Sequence, residues 1–290
     1  MSSLIFVFLI VLFTDDGVLV RGGNSEINFD QNYKVIWGDN HAVSLNQGTE
    51  IQLLMDNSSG GAGIGSKMDY GSGFFHLRIK VPGNDSAGVV TAYYMSSQGS
   101  SSRHDELDFE LLGNREEKPY ILQTNVFADD GGNREQKLKL WFDPRQDFHD
   151  YQILWNQHHI VFFVDNIPIR VFKNMSNIGV SYPTKPMQIH ASLWDGDSWA
   201  TDGGRTKINW SSAPFKAYFQ GFDVKGCEVL QNSSDIQHCD SDKYQWNTPS
   251  FWQLDPVRQR QYEDVKTRYM IYDYCTDRKR NPTPPLECQH

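Results

Sequence analysis

The chain has 290 residues, enough for one large β-domain or two small ones, and enough to bury a core. Its 36 acidic against 27 basic residues give a formal net charge of −9, a surface that repels phosphate backbones and argues against a nucleic-acid partner. No Lys/Arg cluster marks a polyanion or membrane-surface site; the run Arg278-Lys279-Arg280 reads as a solvated loop. Aromatic residues make up 13%, many of them Trp and Tyr in polar stretches where a flat ring can stack on the C–H face of a pyranose. For any single ring, ordinary core packing is the better reading.

In chain order, the first element is an apolar run at 4–13, too short to span a bilayer and suited to a signal-peptide core. Residues 1–23 are therefore expected to be a signal peptide cut between Asp16 and Asn24, although only the α-amino group charges its start. No later segment is long and apolar enough for a membrane helix, so the expectation is a secreted protein with no membrane partner. Five Asn-x-Ser triplets, at Asn57, Asn84, Asn174, Asn209 and Asn232, are glycosylation candidates consistent with that route.

From 24 to 222 the pattern is strand-like. Short alternating runs at 50–55, 73–81, 88–95, 106–112, 138–142, 159–164, 167–172 and 187–193 are separated by Gly, Asn, Asp and Pro. Many short strands with polar turns predict an all-β sandwich. Asp165-Asn166 reads as a hairpin turn. The remainder, 223–290, reads as a short extension packed on the sandwich. Within it Asp255 and Pro256 suit N-cap and N1 of a helix whose one face carries Val265, Tyr269 and Tyr272. The four cysteines all fall here. Of three possible pairings, loop closure favours Cys227–Cys239 and Cys275–Cys288, because short loops cost least to close. A zinc site is the alternative, weakened by the lack of a Cys-x-x-Cys spacing.

The segment that carries chemistry is 104–113, reading HDELDFELLG. On a strand it puts His104, Glu106, Asp108 and Glu110 on one face and Leu107, Phe109 and Leu111 on the other. A row of three carboxylates is electrostatically costly and asks for a reason. A solvated strand face is the bland one. A calcium site is weaker, since its ligands usually come from a turning loop. Glycoside hydrolysis needs two carboxyl groups about the scissile bond, roughly 5–5.5 Å apart for retention. Residues i and i+4 on a strand lie about 13 Å apart at Cα, so long Glu side chains on a curved sheet would have to lean together.

This segment closely resembles the active-site strand of the plant xyloglucan endotransglucosylase/hydrolases of glycoside hydrolase family 16. The resemblance covers nearly the whole mature chain. It extends to 86–94 (SAGVVTAYY), Gln123-Thr124-Asn125, Arg134-Glu135-Gln136, 140–144 (LWFDP), Pro186-Met187, 198–204 (SWATDGG) and 272–277 (YDYCTD). It implies a concave β-jelly roll crossed by a substrate cleft, with Glu106 as nucleophile, Asp108 as its helper and Glu110 as general acid/base. It further implies Gln123, Asn125, Arg134, Trp194, Trp199 and Gly204 as substrate-binding positions, and a tail that lengthens the acceptor side. The implied partners are a xyloglucan donor and a xyloglucan or oligosaccharide acceptor, acted on by a monomer without metal or organic cofactor. The compact 181–199 segment favours transfer over hydrolysis by the same resemblance. A lectin-like glucan-binding protein is the reading from another class, and it has no use for the carboxylate trio. Three departures stand out: Leu107 and Leu111 where Ile and Phe are frequent, no sequon at Asn114-Arg115-Glu116, and Asp202 at a commonly basic position.

Overall fold

A computed structural model describes residues 27–100, 103–230 and 236–289; the expected leader and Asn232 lie outside the described residues. A short helix α1 (Phe29–Asn32) precedes strands β1 (Tyr33–Trp37), β2 (Ala42–Leu45), β3 (Glu50–Met55), β4 (Gly61–Lys80) and β5 (Val89–Ser97). Then come β6 (His104–Leu112), β7 (Ile121–Asp130), β8 (Gln136–Lys139), β9 (His149–Trp155), β10 (His159–Val164) and β11 (Ile167–Lys173). The chain continues through β12 (Met187–Asp195), β13 (Phe215–Gln220), β14 (Lys225–Val229), helix α2 (Pro256–Arg268) and β15 (Met270–Asp273).

All described pairings are antiparallel, and β4 joins them into two layers. Its first half pairs with β1 and β12, and its second half with β9 and β13. The front layer therefore runs β1-β4-β12-β5-β6-β7-β8-β15, and the back layer holds β2, β3, β13, β9, β10 and β11. Leu107, Phe109 and Leu111 of β6 point between the layers and are fully buried. The Phe109 ring stacks on Tyr93 at 5.9 Å and meets Tyr151 and Phe162 of the back layer edge-on at 5.6 and 5.1 Å. Such rings carry much of the burial free energy and fix which face of β6 turns outward. The sandwich is the expected jelly roll.

Some local readings needed correction. The run at 73–81 is only the end of a 20-residue strand, because the Gly-rich stretch before it looks like loop but pairs with β1 and β12. The run at 138–142 stops pairing at Lys139. Asp165 and Asn166 do form the β10–β11 turn, with φ of 50° and 64°. Asp255 caps α2, its Oδ1 accepting from the amides of Val257 and Arg258 at 2.8 and 3.0 Å. The helix ends at Arg268, however, so Tyr269 is its C-cap and Tyr272 lies in β15.

The tail is stitched to the front layer. β15 extends it by pairing with β8, Arg280 binds Glu135 at 2.6 Å, and Glu287 binds Arg134 at 2.7 Å. Cys227–Cys239 and Cys275–Cys288 are the disulfides, with Cα separations of 5.5 and 5.4 Å. Each contributes about 2–4 kcal/mol by constraining the unfolded chain. Residues 225–229, inside the expected extension, still form a strand on β4. Asn57, Asn84 and Asn209 are exposed, whereas Asn174 is half-buried and donates to the Gln157 carbonyl at 2.8 Å.

The back layer holds a charged knot. His76 lies between Asp150 and Asp223, at 3.1 and 3.0 Å from its two ring nitrogens. Burial alone would depress its pKa; the hydrogen bonds and charges of Asp150 and Asp223 outweigh burial and push it up to about 9. The folded value lies above the unfolded value of about 6.5, so this stabilisation is complete below that pH and fades as pH rises through 9. We expect His76→Gln to cost roughly 2–3 kcal/mol at pH 6 and little above pH 9.5. Melting temperatures of both proteins across that range measure the gap; a gap that stays constant refutes the assignment.

Candidate active site

The outward face of β6 forms the floor of a groove of about 580 Å³. Its neighbours fix the register: Glu106 lies between Ser96 and Phe127, Asp108 between Tyr94 and Asn125, and Glu110 between Ala92 and Gln123. Gln123 donates to Glu110 Oε2 at 2.5 Å, and His104 Nε2 sits 3.3 Å from Glu106 Oε2. Asn125 spends its carbonyl oxygen on the amides of Val126 and Arg134, both at 3.0 Å, so what it offers the groove is its NH₂ group. Trp194 and Trp199 stand together on the wall with ring centroids 6.1 Å apart.

The carboxylates do not share one electrostatic environment. Asp108 is held well above the usual carboxylate range, first by burial, then by the charges of Glu106 and Glu110 and a hydrogen bond shared with Glu106. Glu110 is pushed up to about 7, again chiefly by burial; Glu106 and Glu135 add to the rise, while the Gln123 hydrogen bond and Lys137 oppose it. The walls stay neutral: burial and the nearby Glu106 and Asp108 push Tyr94 up to about 12, and burial pushes His190, stacked on Tyr94 at 4.9 Å, down to about 4. A row of three carboxyl groups with two held protonated has the makings of a proton donor beside an anion.

Seven of the expected positions come together here: Glu106, Asp108, Glu110, Gln123, Asn125, Trp194 and Trp199. Arg134 lies elsewhere. Its side chain is 11% exposed and is taken up by Asp130 at 2.8 Å and Glu287 at 2.7 Å, with Phe172 beneath the guanidinium. Gly204 shapes the loop behind Trp199: at φ +81° a Cβ would fall 2.0 Å from the Ser198 carbonyl oxygen. Thr201 ties the same loop to the end of β6, donating to the Gly113 carbonyl at 2.8 Å. Asp202 is exposed and pairs with Arg115 at 3.1 Å, so its charge is partly answered within the loops. Cys227 and Cys239 lie near His238 but are bonded to each other, which removes them as metal ligands.

Trp37, Phe127, Glu135 and Ser192 line the groove and were not singled out from the sequence. Trp37 reaches it from β1, its indole filling the space over Gly63, where a Cβ would lie 2.2 Å from Nε1. No periodicity could have placed it there. Tyr94 was legible in principle, since it shares the outward face of β5 with Ala92. A larger depression of about 1430 Å³ lies between β10, β11 and α2, but Asp255 is the one carboxylate lining it.

An antiparallel sandwich with a carboxylate row under an aromatic-walled groove is the layout of a glycoside-cleaving enzyme. The profile of Glycosyl hydrolases family 16 matches residues 29–212, and that of the Xyloglucan endo-transglycosylase (XET) C-terminus matches 240–288. Xyloglucan endotransglucosylase/hydrolase protein 2 of Arabidopsis thaliana is 56% identical over 267 residues, 92% of this chain and 90% of the relative. Protein 3 of that series and organism is 53% identical over 268 residues, 92% of this chain and 91% of the relative. Among solved structures, a Bacillus licheniformis β-glucanase superposes with a TM-score of 0.54 at 21% identity, over 68% of this chain and 92% of that one. The Crh5 transglycosylase without ligand gives 0.52 at 21%, over 65% and 76%. These two likenesses speak to the fold. The chain belongs to glycosyl hydrolase family 16 and, within it, to the xyloglucan endotransglucosylase/hydrolases.

Proposed function

We propose that the protein is a secreted, monomeric enzyme of the plant cell wall that cuts the β-1,4-glucan backbone of xyloglucan and rejoins the fragment to another xyloglucan chain or oligosaccharide. Glu106 attacks the anomeric carbon of a backbone glucose while Glu110 gives its proton to the departing glycosidic oxygen. The new bond is a glycosyl ester to Glu106, and the leaving chain departs with a free 4-hydroxyl. Glu110, now an anion, takes the proton of an acceptor 4-hydroxyl as that oxygen displaces Glu106. Two inversions give net retention. Asp108 shares its proton with Glu106 and so moderates the charge of the nucleophile. Gln123 orients Glu110, Asn125 presents its NH₂ group to the glucan, and Trp194 and Trp199 offer faces for acceptor rings. Residues 24–222 form the catalytic domain, and 223–290 lengthen the acceptor side.

The observation that carries this reading is the split along β6: burial keeps Glu110 protonated up to about pH 7, ready to act as an acid in a mildly acidic wall. The test is xyloglucan of one narrow size class incubated with the protein alone. Transfer broadens the size distribution without new reducing ends. New ends rising in step with the size change would indicate a hydrolase, and an unchanged distribution a glucan-binding protein.

A further inference from the structure

Arg170 of β11 is 1% exposed, and no described carboxylate lies within ion-pair distance of it. Its Nη1 donates to the carbonyl and the Oγ1 of Thr124 at 2.9 and 3.0 Å; its Nη2 is buried without a partner among the described residues. The guanidinium lies 5.7 Å from the Phe162 ring centroid and 5.9 Å from that of Tyr274. A buried cation with no paired anion is costly and needs a counter-charge somewhere within reach.

Thr124 locates that counter-charge. It is the core-facing residue of β7 between Gln123 and Asn125, and it pairs in register with Phe109, between Asp108 and Glu110 on β6. Arg170 thus sits directly behind the strand that carries the partners of the carboxylate row, on the side away from the groove. The other charged groups around it are largely settled among themselves. Arg134 holds Glu287, and on α2 Lys266 lies 3.6 Å from Glu263. Lys173 of β11 is a like charge. Tyr262 and Tyr274 are kept neutral by burial. This leaves Asp273 of β15 and the row itself as anions without a cationic partner.

We propose that Arg170 is a positioning residue for the active site: from behind β7 it supplies the positive charge that keeps one negative charge resident on the Glu106–Asp108 pair, while holding Thr124, and with it Gln123 and Asn125, in register. This rests on the roles proposed above for the row. The Coulomb effect of Arg170 on Asp108 is in the right direction, opposing the rise that burial imposes. The interaction crosses one strand layer of low dielectric, where a unit charge is felt over several ångströms.

Two readouts test it. In Arg170→Met, the acid and alkaline limbs of the kcat/KM pH profile should both move up by about one pH unit. Loss of packing alone would lower the plateau and leave the limbs in place. The second readout is stability. The drop in melting temperature caused by Arg170→Met should shrink by at least half in a Glu106→Gln background, where the row has lost its charge, and should persist in an Asp273→Asn background. If Arg170→Met alone does not fold, recovery of folded protein by Glu106→Gln, and not by Asp273→Asn, is the expected result. Unmoved limbs, an undiminished loss, or rescue by Asp273→Asn instead overturns the proposal. The stability arm needs no xyloglucan activity, so it stands even if the enzymatic reading fails.

Discussion

Glu106→Gln should lower turnover on xyloglucan by on the order of 10⁴–10⁶-fold, the scale seen when a covalent nucleophile is removed. The amide keeps the size and shape of the side chain and cannot form the glycosyl ester. Folding should be spared: Glu106 is partly exposed in the groove, and its contact to His104 is a single one at 3.3 Å. Removing one of three neighbouring carboxylates also relieves like-charge repulsion, so the melting temperature should hold or rise. Glu110→Gln should be severe for a different reason. Its proton is what the leaving oxygen needs, and general acid catalysis is worth about 10²–10⁴-fold. A donor whose leaving group departs without protonation should therefore recover much of the first step in Glu110→Gln and none in Glu106→Gln. With Glu110 near 7, activity should also fall as pH rises through neutrality, because its deprotonated form cannot deliver the acid step. Near-normal turnover by folded Glu106→Gln would remove the carboxylate assignment altogether.

The carboxylate strand was the most legible part of the sequence, because a period of two sorts its residues cleanly and the core face, Leu107, Phe109 and Leu111, is wholly apolar. The same logic found the β10–β11 hairpin at Asp165-Asn166 and the cap at Asp255. What escaped depended on long-range pairing. The first half of β4 is rich in glycine and carries no alternation, yet two distant strands order it. Arg134 resembled a groove residue because its local motif says nothing of Glu287, its partner 153 residues further on. α2 ended before Tyr269 although the apolar spacing ran on, because the chain there turns to pair with β8. Trp37 and Gly204 show the same limit: one enters the groove from the far edge of the sheet, and the other acts through the backbone shape it permits.

What accepts the glycosyl group is decided by magnitudes. Water is present at about 55 M and xyloglucan chain ends at about the millimolar level, a ratio on the order of 10⁴–10⁵ against transfer. For transfer to exceed hydrolysis a hundredfold, the acceptor must gain a preference of about 10⁶–10⁷, or roughly 8–10 kcal/mol of transition-state stabilisation. Orientation on a binding surface supplies about 7–11 kcal/mol, so an extensive acceptor surface is sufficient and a small one is not. Trp194 and Trp199 stand beside each other on the groove wall, and β15 extends the sheet beyond β8. Trp199→Ala should lower transfer relative to water attack by on the order of tenfold, in keeping with loss of a central aromatic anchor. Removing the extension should do the same, provided the sandwich still folds.

The most direct measurement is the ratio of labelled transfer product to new reducing ends, taken with unlabelled xyloglucan as donor and labelled xyloglucan oligosaccharide at saturation. The account predicts a ratio of about one hundred or more, given the orientation available to a bound acceptor, and a marked fall for Trp199→Ala. A ratio below one at saturating acceptor would contradict it: water would be the true acceptor, and the enzyme a hydrolase.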